Sequence, residues 1–330
     1  MYILKQVPED FIVREIKHLE LGNGRFAYVK VKKKSRNTLD VVKEVAKQLN
    51  LREKQIGFAG SKDKHAITEQ YFSIEGVKKE RIGKLKIEGV EIIFVGYGKT
   101  PIPIGSLEGN QFEIVIRDLS SVEIKEIDFV ENYFDEQRFS LHNVEIGKHI
   151  IKKEFSDAVK LIDDTRMKQH LETHPKDYIG AMKKIPSRML RMYVHAFQSY
   201  LWNETLANYL KQFTHKEVAY SLGKFIFNDQ KTSLEIPLIG FDTEFDDGKI
   251  ENIAVTLMEK EGVELFDFVI KQIPDLSREG ESRKAFVDVK DFKFGSVETD
   301  DLNLGKKKVK VSFELGKGSY ATMVIRKLFA

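Results

Sequence analysis

The sequence predicts an α+β protein in which a strand-rich beginning and end enclose a helix-rich middle. Three observations predict it. Alternating apolar and polar residues mark strands in the first 140 residues. Helical spacing dominates from about 143 to 287. Strand patterns then return from about 288 to 330. The predicted division is therefore 1–142 with 288–330 as one discontinuous domain, and 143–287 as a domain inserted into it. The 330 residues suffice for two domains of ordinary size.

The elements follow in order. Phe26 to Val31 reads as a strand, and a basic loop, Lys32 to Arg36, follows it. Asn37 or Thr38 can cap a helix reaching Leu49, with Leu39, Val42, Val45, Ala46 and Leu49 at helical spacing. A loop from Gly57 to His65 carries two glycines, which permit unusual backbone angles. Strands are expected at 71–74, 90–95 and 112–117. In the middle, helices are expected at 154–163, 177–184, 190–212 and 260–273, with a strand at 233–238. Strands at 285–289 and 308–315 close the chain.

Composition narrows the chemistry. There is no cysteine, which excludes disulfides, thiolate metal sites and a cysteine nucleophile. Lys plus Arg is 54 against 51 for Asp plus Glu, so local charge matters more than the net +3. No apolar run approaches the length of a membrane span, and the first ten residues lack the apolar core of a signal peptide. A cytoplasmic protein is expected.

Four stretches could carry chemistry. Asp63 sits in the glycine-containing loop between Lys62 and Lys64, and flanking cations favour its ionised form. An ionised carboxylate can serve as nucleophile or base, although Lys-Asp-Lys is also a common solvated pattern. Lys30, Lys32, Lys33, Lys34 and Arg36 place five cations within seven residues, either a phosphate-binding cluster or a solvated loop. Asn110, Gln111 and Phe112 open a strand; asparagine can bond a base edge and phenylalanine can stack, though Phe112 equally suits a core. Gly316 to Thr322 resembles a phosphate loop only loosely, because it lacks the Gly-Lys-Ser/Thr ending. His142, His149 and His195 have no metal-ligand spacing, so no metal is expected. Residues 193–210 carry an apolar stripe expected to pack a core, with Gln198 and Asn203 on the same helix as candidates for reaching RNA.

Taken in order, these stretches resemble the TruD family of tRNA pseudouridine synthases. Pro8 to Glu15 is similar to the opening Asp-Phe-x-Val-x-Glu. Gly57 to Gln70, reading GFAGSKDKHAITEQ, resembles the signature around the catalytic aspartate. Gly105 to Phe112 resembles Gly-x-Leu-x-Gly-Asn-x-Phe, and Asn132 to Phe139 resembles Asn-Tyr-Phe-Gly-x-Gln-Arg-Phe. His195 to Asn203 and Gly318 to Thr322 complete the series. Asp135 and Ser140 stand where the family usually has glycine, and Gly316 where it usually has proline.

The resemblance implies a pseudouridine-synthase core, a mixed and mostly antiparallel sheet with flanking helices. It also implies an inserted α/β TRUD domain and an RNA-binding cleft between the two. Asp63 becomes the catalytic carboxylate, acting on a flipped-out uridine at position 13 in the D-arm. Phe11, Asn110, Tyr320, Phe112 and Lys62 become substrate-binding residues. Tyr320 or Phe11 would stack on the base, Asn110 would bond near the sugar or Asp63, and Lys62 would pair with a phosphate or with Asp63. Lys30, Lys32, Lys33, Lys34, Arg36 and Arg138 would contact the RNA backbone. No cofactor, nucleotide or metal is required; tRNA is the partner, and a monomer is expected. The rival reading is a non-catalytic tRNA-binding or chaperone protein on the same scaffold. Such a protein would be expected to lose Asp63, which this chain retains.

Overall fold

A computed structural model describes residues 2–123, 125–140 and 142–330. It divides into two compact units: Met1–Asp128 with Asp288–Ala321, and Phe129–Val287 with Thr322–Ala330. The first break thus falls at 128/129 rather than 142/143, and the C-terminal helix packs with the second unit. Side-chain chemistry accounts for the shift. Thr322 donates to Asp135 at 2.8 Å, Arg326 to Glu136 at 2.9 Å, and Lys327 pairs with Glu131 at 3.2 Å. Asp135, at a position where glycine is usual, is buried and accepts one of these bonds.

The strands in chain order are β1 (Phe11–Ile16), β2 (Phe26–Lys34), β3 (Ile56–Phe58), β4 (Ile67–Glu75), β5 (Val90–Gly98) and β6 (Gly109–Leu119) in the first unit. The second unit holds β7 (Phe129–Glu131), β8 (Lys216–Tyr220), β9 (Gly223–Phe227), β10 (Glu235–Leu238), β11 (Glu281–Lys284) and β12 (Phe286–Asp288). The first unit resumes with β13 (Lys290–Phe294), β14 (Glu298–Thr299) and β15 (Lys307–Gly316).

The first unit is one mixed sheet in the order β13-β15-β6-β1-β4-β2-β5, with β14 added to β15 and β3 to β4. Among the described residues of this sheet, β1 and β4 run parallel and the other pairs are antiparallel. Helix α1 (Thr38–Leu49) lays Val41, Val42, Val45, Ala46 and Leu49 on Ala27, Val29 and Val31 of β2 and on Phe72 and Ile74 of β4. Leu39, expected on that stripe, is exposed instead. Asn37 precedes the helix but bonds Asp40 rather than a helix N–H.

Strand β2 runs three residues further than predicted. Lys32, Lys33 and Lys34 therefore lie on a strand, and the turn is confined to Ser35 and Arg36, with Ser35 in the left-handed region at φ 55°. This changes what the lysines can do, because successive side chains on a strand point to opposite faces.

In the second unit the long helix Ser187–Leu210 packs against helices Asn143–Ile151 and Gly248–Glu261. Val194, Phe197 and Leu201 lie in the core, as the apolar stripe predicted, and Leu190 joins them one turn earlier. A helix at 260–273 was expected. The helix runs instead over 248–261, started by the Asp247 carboxylate, which accepts from the N–H groups of Lys249 and Ile250. It stops at Gly262, left-handed at φ 66°, and short 3-10 turns at Leu265–Phe268 and Pro274–Leu276 follow. Gln198 and Asn203 are buried and bond the backbone of Ile239 and Phe134, so they serve packing rather than RNA.

Candidate active site

The Asp63 loop joins β3 to β4 and is fixed from below by side chains of its own unit. Gln70 on β4 donates to the Gly60 carbonyl at 3.1 Å and accepts from the Thr38 hydroxyl at 2.9 Å. That hydroxyl in turn accepts from the Lys62 N–H at 3.0 Å. Neither loop glycine has positive φ. Gly57 is required for another reason: a Cβ there would lie 2.6 Å from the Ile102 carbonyl oxygen. At Gly60 a Cβ would meet nothing within 4 Å.

Lys33 is the strongest of these supports. Alternation along β2 puts it in line with Ala27, Val29 and Val31, on the face that α1 covers, and it is 1% exposed. Its ammonium donates to three main-chain carbonyls: Arg36 at 2.7 Å, Asp63 at 2.8 Å and Lys62 at 3.3 Å. An ammonium has three N–H groups, so each is used. Burial pushes the Lys33 pKa down to about 8, opposed by the charge of Asp63. Expected as a phosphate contact, Lys33 is instead an internal tie between strand, turn and loop.

The other cations of that cluster also find protein partners. Lys30 and Lys32 share the opposite face of β2 and lie 3.8 and 3.9 Å from Glu69. Lys34 pairs with Glu9, and Arg36 with Glu44 and the Glu88 carbonyl. Lys30, Lys32 and Lys34 remain substantially exposed at their tips.

Above the tied backbone, the Asp63 side chain is 42% exposed and accepts from Lys5 at 2.7 Å. The Lys5 ammonium also stands 4.1 Å from the centre of the Phe11 ring. Lys5, itself at φ 58°, carried no sequence signal, since it lies 58 positions from its partner. Lys62, expected to pair with Asp63 or phosphate, turns the other way. It donates to the Asn110 side-chain oxygen and lies 3.4 Å from Glu15. Glu15 is fully buried, and neither carboxylate oxygen has a hydrogen-bond partner among the described residues. Burial pushes the Glu15 pKa up and that of Lys62 down; each charge partly offsets the other's shift.

Strand register brings the remaining motifs to this place. Asn110 on β6 lies opposite Glu15 on β1 and Leu315 on β15. Gly109 faces Gly316, where the turn leading to Tyr320 begins, and a Cβ at Gly109 would lie 2.4 Å from the Leu315 carbonyl oxygen. Tyr320 is half-buried. Phe11 and Phe112 are both buried; they meet edge to face at 6.2 Å, and Phe112 also packs on Phe313. Phe112 is thus a core residue beneath the site, whereas the Asp63 carboxylate stays exposed. Arg138 lies in the second unit, half-buried near the Phe134 ring.

The first unit therefore assembles one exposed carboxylate, its lysine counter-charge, and a Lys62–Glu15–Asn110 group built on a buried carboxylate, on a backbone tied at several points. Such an arrangement suits acid-base or nucleophilic work on a substrate presented from solvent. Among the described residues, no group of His, Asp or Glu is disposed to hold a metal ion, and no helix is long and apolar enough to cross a membrane.

Comparison with known proteins agrees in sequence and in fold. The family model for tRNA pseudouridine synthase D (TruD) matches residues 2–165, 162–221 and 211–328. tRNA pseudouridine synthase D of Aquifex aeolicus is 32% identical, with 99% of this chain and 97% of that protein covered. A Nanoarchaeum equitans protein assigned the same name is 31% identical over 99% of this chain and 98% of its own length. The crystal structure of a Methanosarcina mazei protein assigned as TruD superposes with a TM-score of 0.72 at 26% identity, covering 98% of this chain and 92% of that one. With the family's motifs present in order and these matches spanning nearly its whole length, the chain belongs to the TruD family of tRNA pseudouridine synthases.

Proposed function

We propose that this TruD-family isomerase converts uridine 13 in the D-arm of tRNA to pseudouridine, with Asp63 as the catalytic carboxylate. The reaction breaks the N1–C1′ bond and joins C1′ to C5; a proton leaves C5 and one is gained at N1, so no atoms are exchanged overall. The observation that carries the reading is the Asp63 loop. Its backbone is tied by Lys33, Thr38 and Gln70, while its carboxylate stays open to solvent beside Lys5.

The uridine leaves its stack to reach Asp63, at a cost of a few kcal/mol. Stacking on an aromatic ring, worth about 1–3 kcal/mol per base, offsets that cost. By the family resemblance Tyr320, half-buried after the turn that follows β15, is the ring that supplies it. Lys62 holds the Asn110 amide so that its donor end is available to the sugar or base. Phe11 supports Asp63 indirectly, by seating the Lys5 ammonium on its ring face. The protein works as a monomer in the cytoplasm.

The test is Asp63→Asn, assayed with tRNA by mapping pseudouridine at position 13. The expected outcome is loss of product with tRNA affinity retained within about twofold, as for a group acting only in the transition state. Full activity in this variant would sink the assignment of Asp63. Product at another uridine would overturn the position alone.

A further inference from the structure

The second unit contains a group of cations that has no part in the chemistry at Asp63, Arg138 among them. The long helix Ser187–Leu210 carries Ser187, Arg191 and His195 at i, i+4 and i+8, one above another on one face. Two short turns pack on the same helix: Glu136–Phe139, which carries Arg138, and Pro274–Leu276, which Arg278 follows. None of Arg138, Arg191 and Arg278 forms a salt bridge with a carboxylate among the described residues. The Nε–H groups of Arg138 and Arg278 are buried without an acceptor, and so is the Ser187 hydroxyl. Arg278 spends its terminal nitrogens on the main-chain oxygens of Ser277 and Asp275.

We propose that Arg138, Arg191 and Arg278, with Ser187, form a binding site for a phosphodiester of the RNA substrate. Guanidinium groups without carboxylate partners leave a local excess of positive charge, felt at His195, and a buried donor left unpaired is costly. A phosphate would supply both the opposing charge and the missing acceptors, and guanidinium is the side chain best matched to it. The cost of leaving the site empty is thus recovered on binding.

His195 independently reports the same field. Burial and the charges of Arg278, Arg138 and Arg191 push its pKa down to about 4. Burial and Arg191 likewise push that of Arg278 down, against the pull of Asp275. Asp275 is the acid that Arg278 feels, and Arg278 bonds its main-chain oxygen.

The inference rests on the tRNA reading but is tested separately from it. Arg191→Gln and Arg278→Gln are compared with wild type for tRNA affinity against salt concentration. The expected result is a salt slope shallower by about one for each arginine removed. Arg191 is exposed, so its variant keeps the test valid if Arg278→Gln fails to fold. In parallel, the His195 imidazole is titrated by NMR in the wild-type protein, alone, with inorganic phosphate and with tRNA. Bound tRNA is expected to move its midpoint upward from about 4 toward the ordinary histidine value. Unchanged slopes with an unmoved His195, in a protein that still makes pseudouridine, would overturn the site and leave the activity intact. A shift with inorganic phosphate but not with tRNA would overturn the RNA assignment in favour of a free anion. Absence of pseudouridine in wild type would instead strike the activity, while a slope lost in the variants would still support the site.

Discussion

Lys33 holds its three carbonyls only while protonated, because a neutral amine keeps two N–H donors. Its pKa is depressed to about 8 from an ordinary 10.5, so in that window the unfolded chain holds more protons than the folded one. By linkage, the Lys33 contribution to stability rises as pH climbs from about 8 to 10.5, since the buried charge is relieved. Activity is expected to move oppositely and fall through the same window as the Asp63 loop loses a tie. A pH profile of turnover beside thermal melts checks this; parallel decline of both would contradict it. Lys33→Met is expected to lower kcat by about a hundredfold with KM nearly unchanged, as displacement of a catalytic group by about an ångström does. Equal kcat would show that the loop needs no such tie. Asp63, Asn110 and Tyr320 could be singled out in the sequence because the motifs that carry them are local. Lys5 carried no signal, and what Glu15, Thr38 and Gln70 bind was not legible, because their partners lie tens of residues away. Lys33 could have been found: alternation from Ala27 through Val29 and Val31 lands on it, but its neighbours' charge disguised the strand as a loop.

At the level of elements, the site depends on how closely β15 lies against β6. Gly109 opposite Gly316 allows an approach that a methyl group would block, at 2.4 Å from the Leu315 oxygen. Gly109→Ala is expected to cost about 1–3 kcal/mol, the usual penalty of overpacking. Its displacement would fall on Asn110 and on the turn to Tyr320. Urea denaturation measures the first effect and substrate KM the second; a neutral variant would mean that the strand end is looser than drawn. Seven of the fifteen described strands were predicted to within four residues, where an apolar face repeats every second residue, while shorter strands such as β3, β7 and β14 carry too few residues to show that pattern. The helix expected at 260–273 was misplaced because its apolar residues serve turns, whereas Asp247 and Gly262, the actual start and stop signals, bracket an earlier segment.

Across the whole molecule, distant parts of the chain are joined by buried charge. Arg117 donates to Asp10 at 2.8 Å, Asp300 at 2.7 Å and Asp301 at 2.9 Å, and Asp300 also accepts from the Asp118 N–H at 3.0 Å. Burial opposes the Asp300 charge, and these donors outweigh it, so its pKa lies well below the ordinary 3.8. A depressed carboxylate contributes stability that is present above its unfolded value and lost as pH falls. The acid limb of unfolding is therefore expected to begin near pH 3.8 and deepen below it. Arg117→Met, which strands two buried carboxylates, is expected to destabilise the first unit by about 3–5 kcal/mol in urea titrations at neutral pH. A loss below about 1 kcal/mol would show that the cluster relaxes into solvent.

The placement of β15 between β13 and β6 has a temporal meaning. On the ribosome, the strands from β1 to β6 emerge early, but their sheet has an open edge at β6 until residues 307–316 appear. The second unit depends in the same way on a late segment, since Arg326 and Lys327 of the helix Ala321–Leu328 pair with Glu136 and Glu131. Until residues 307–328 have emerged, one half thus carries an open sheet edge and the other an uncovered acidic patch.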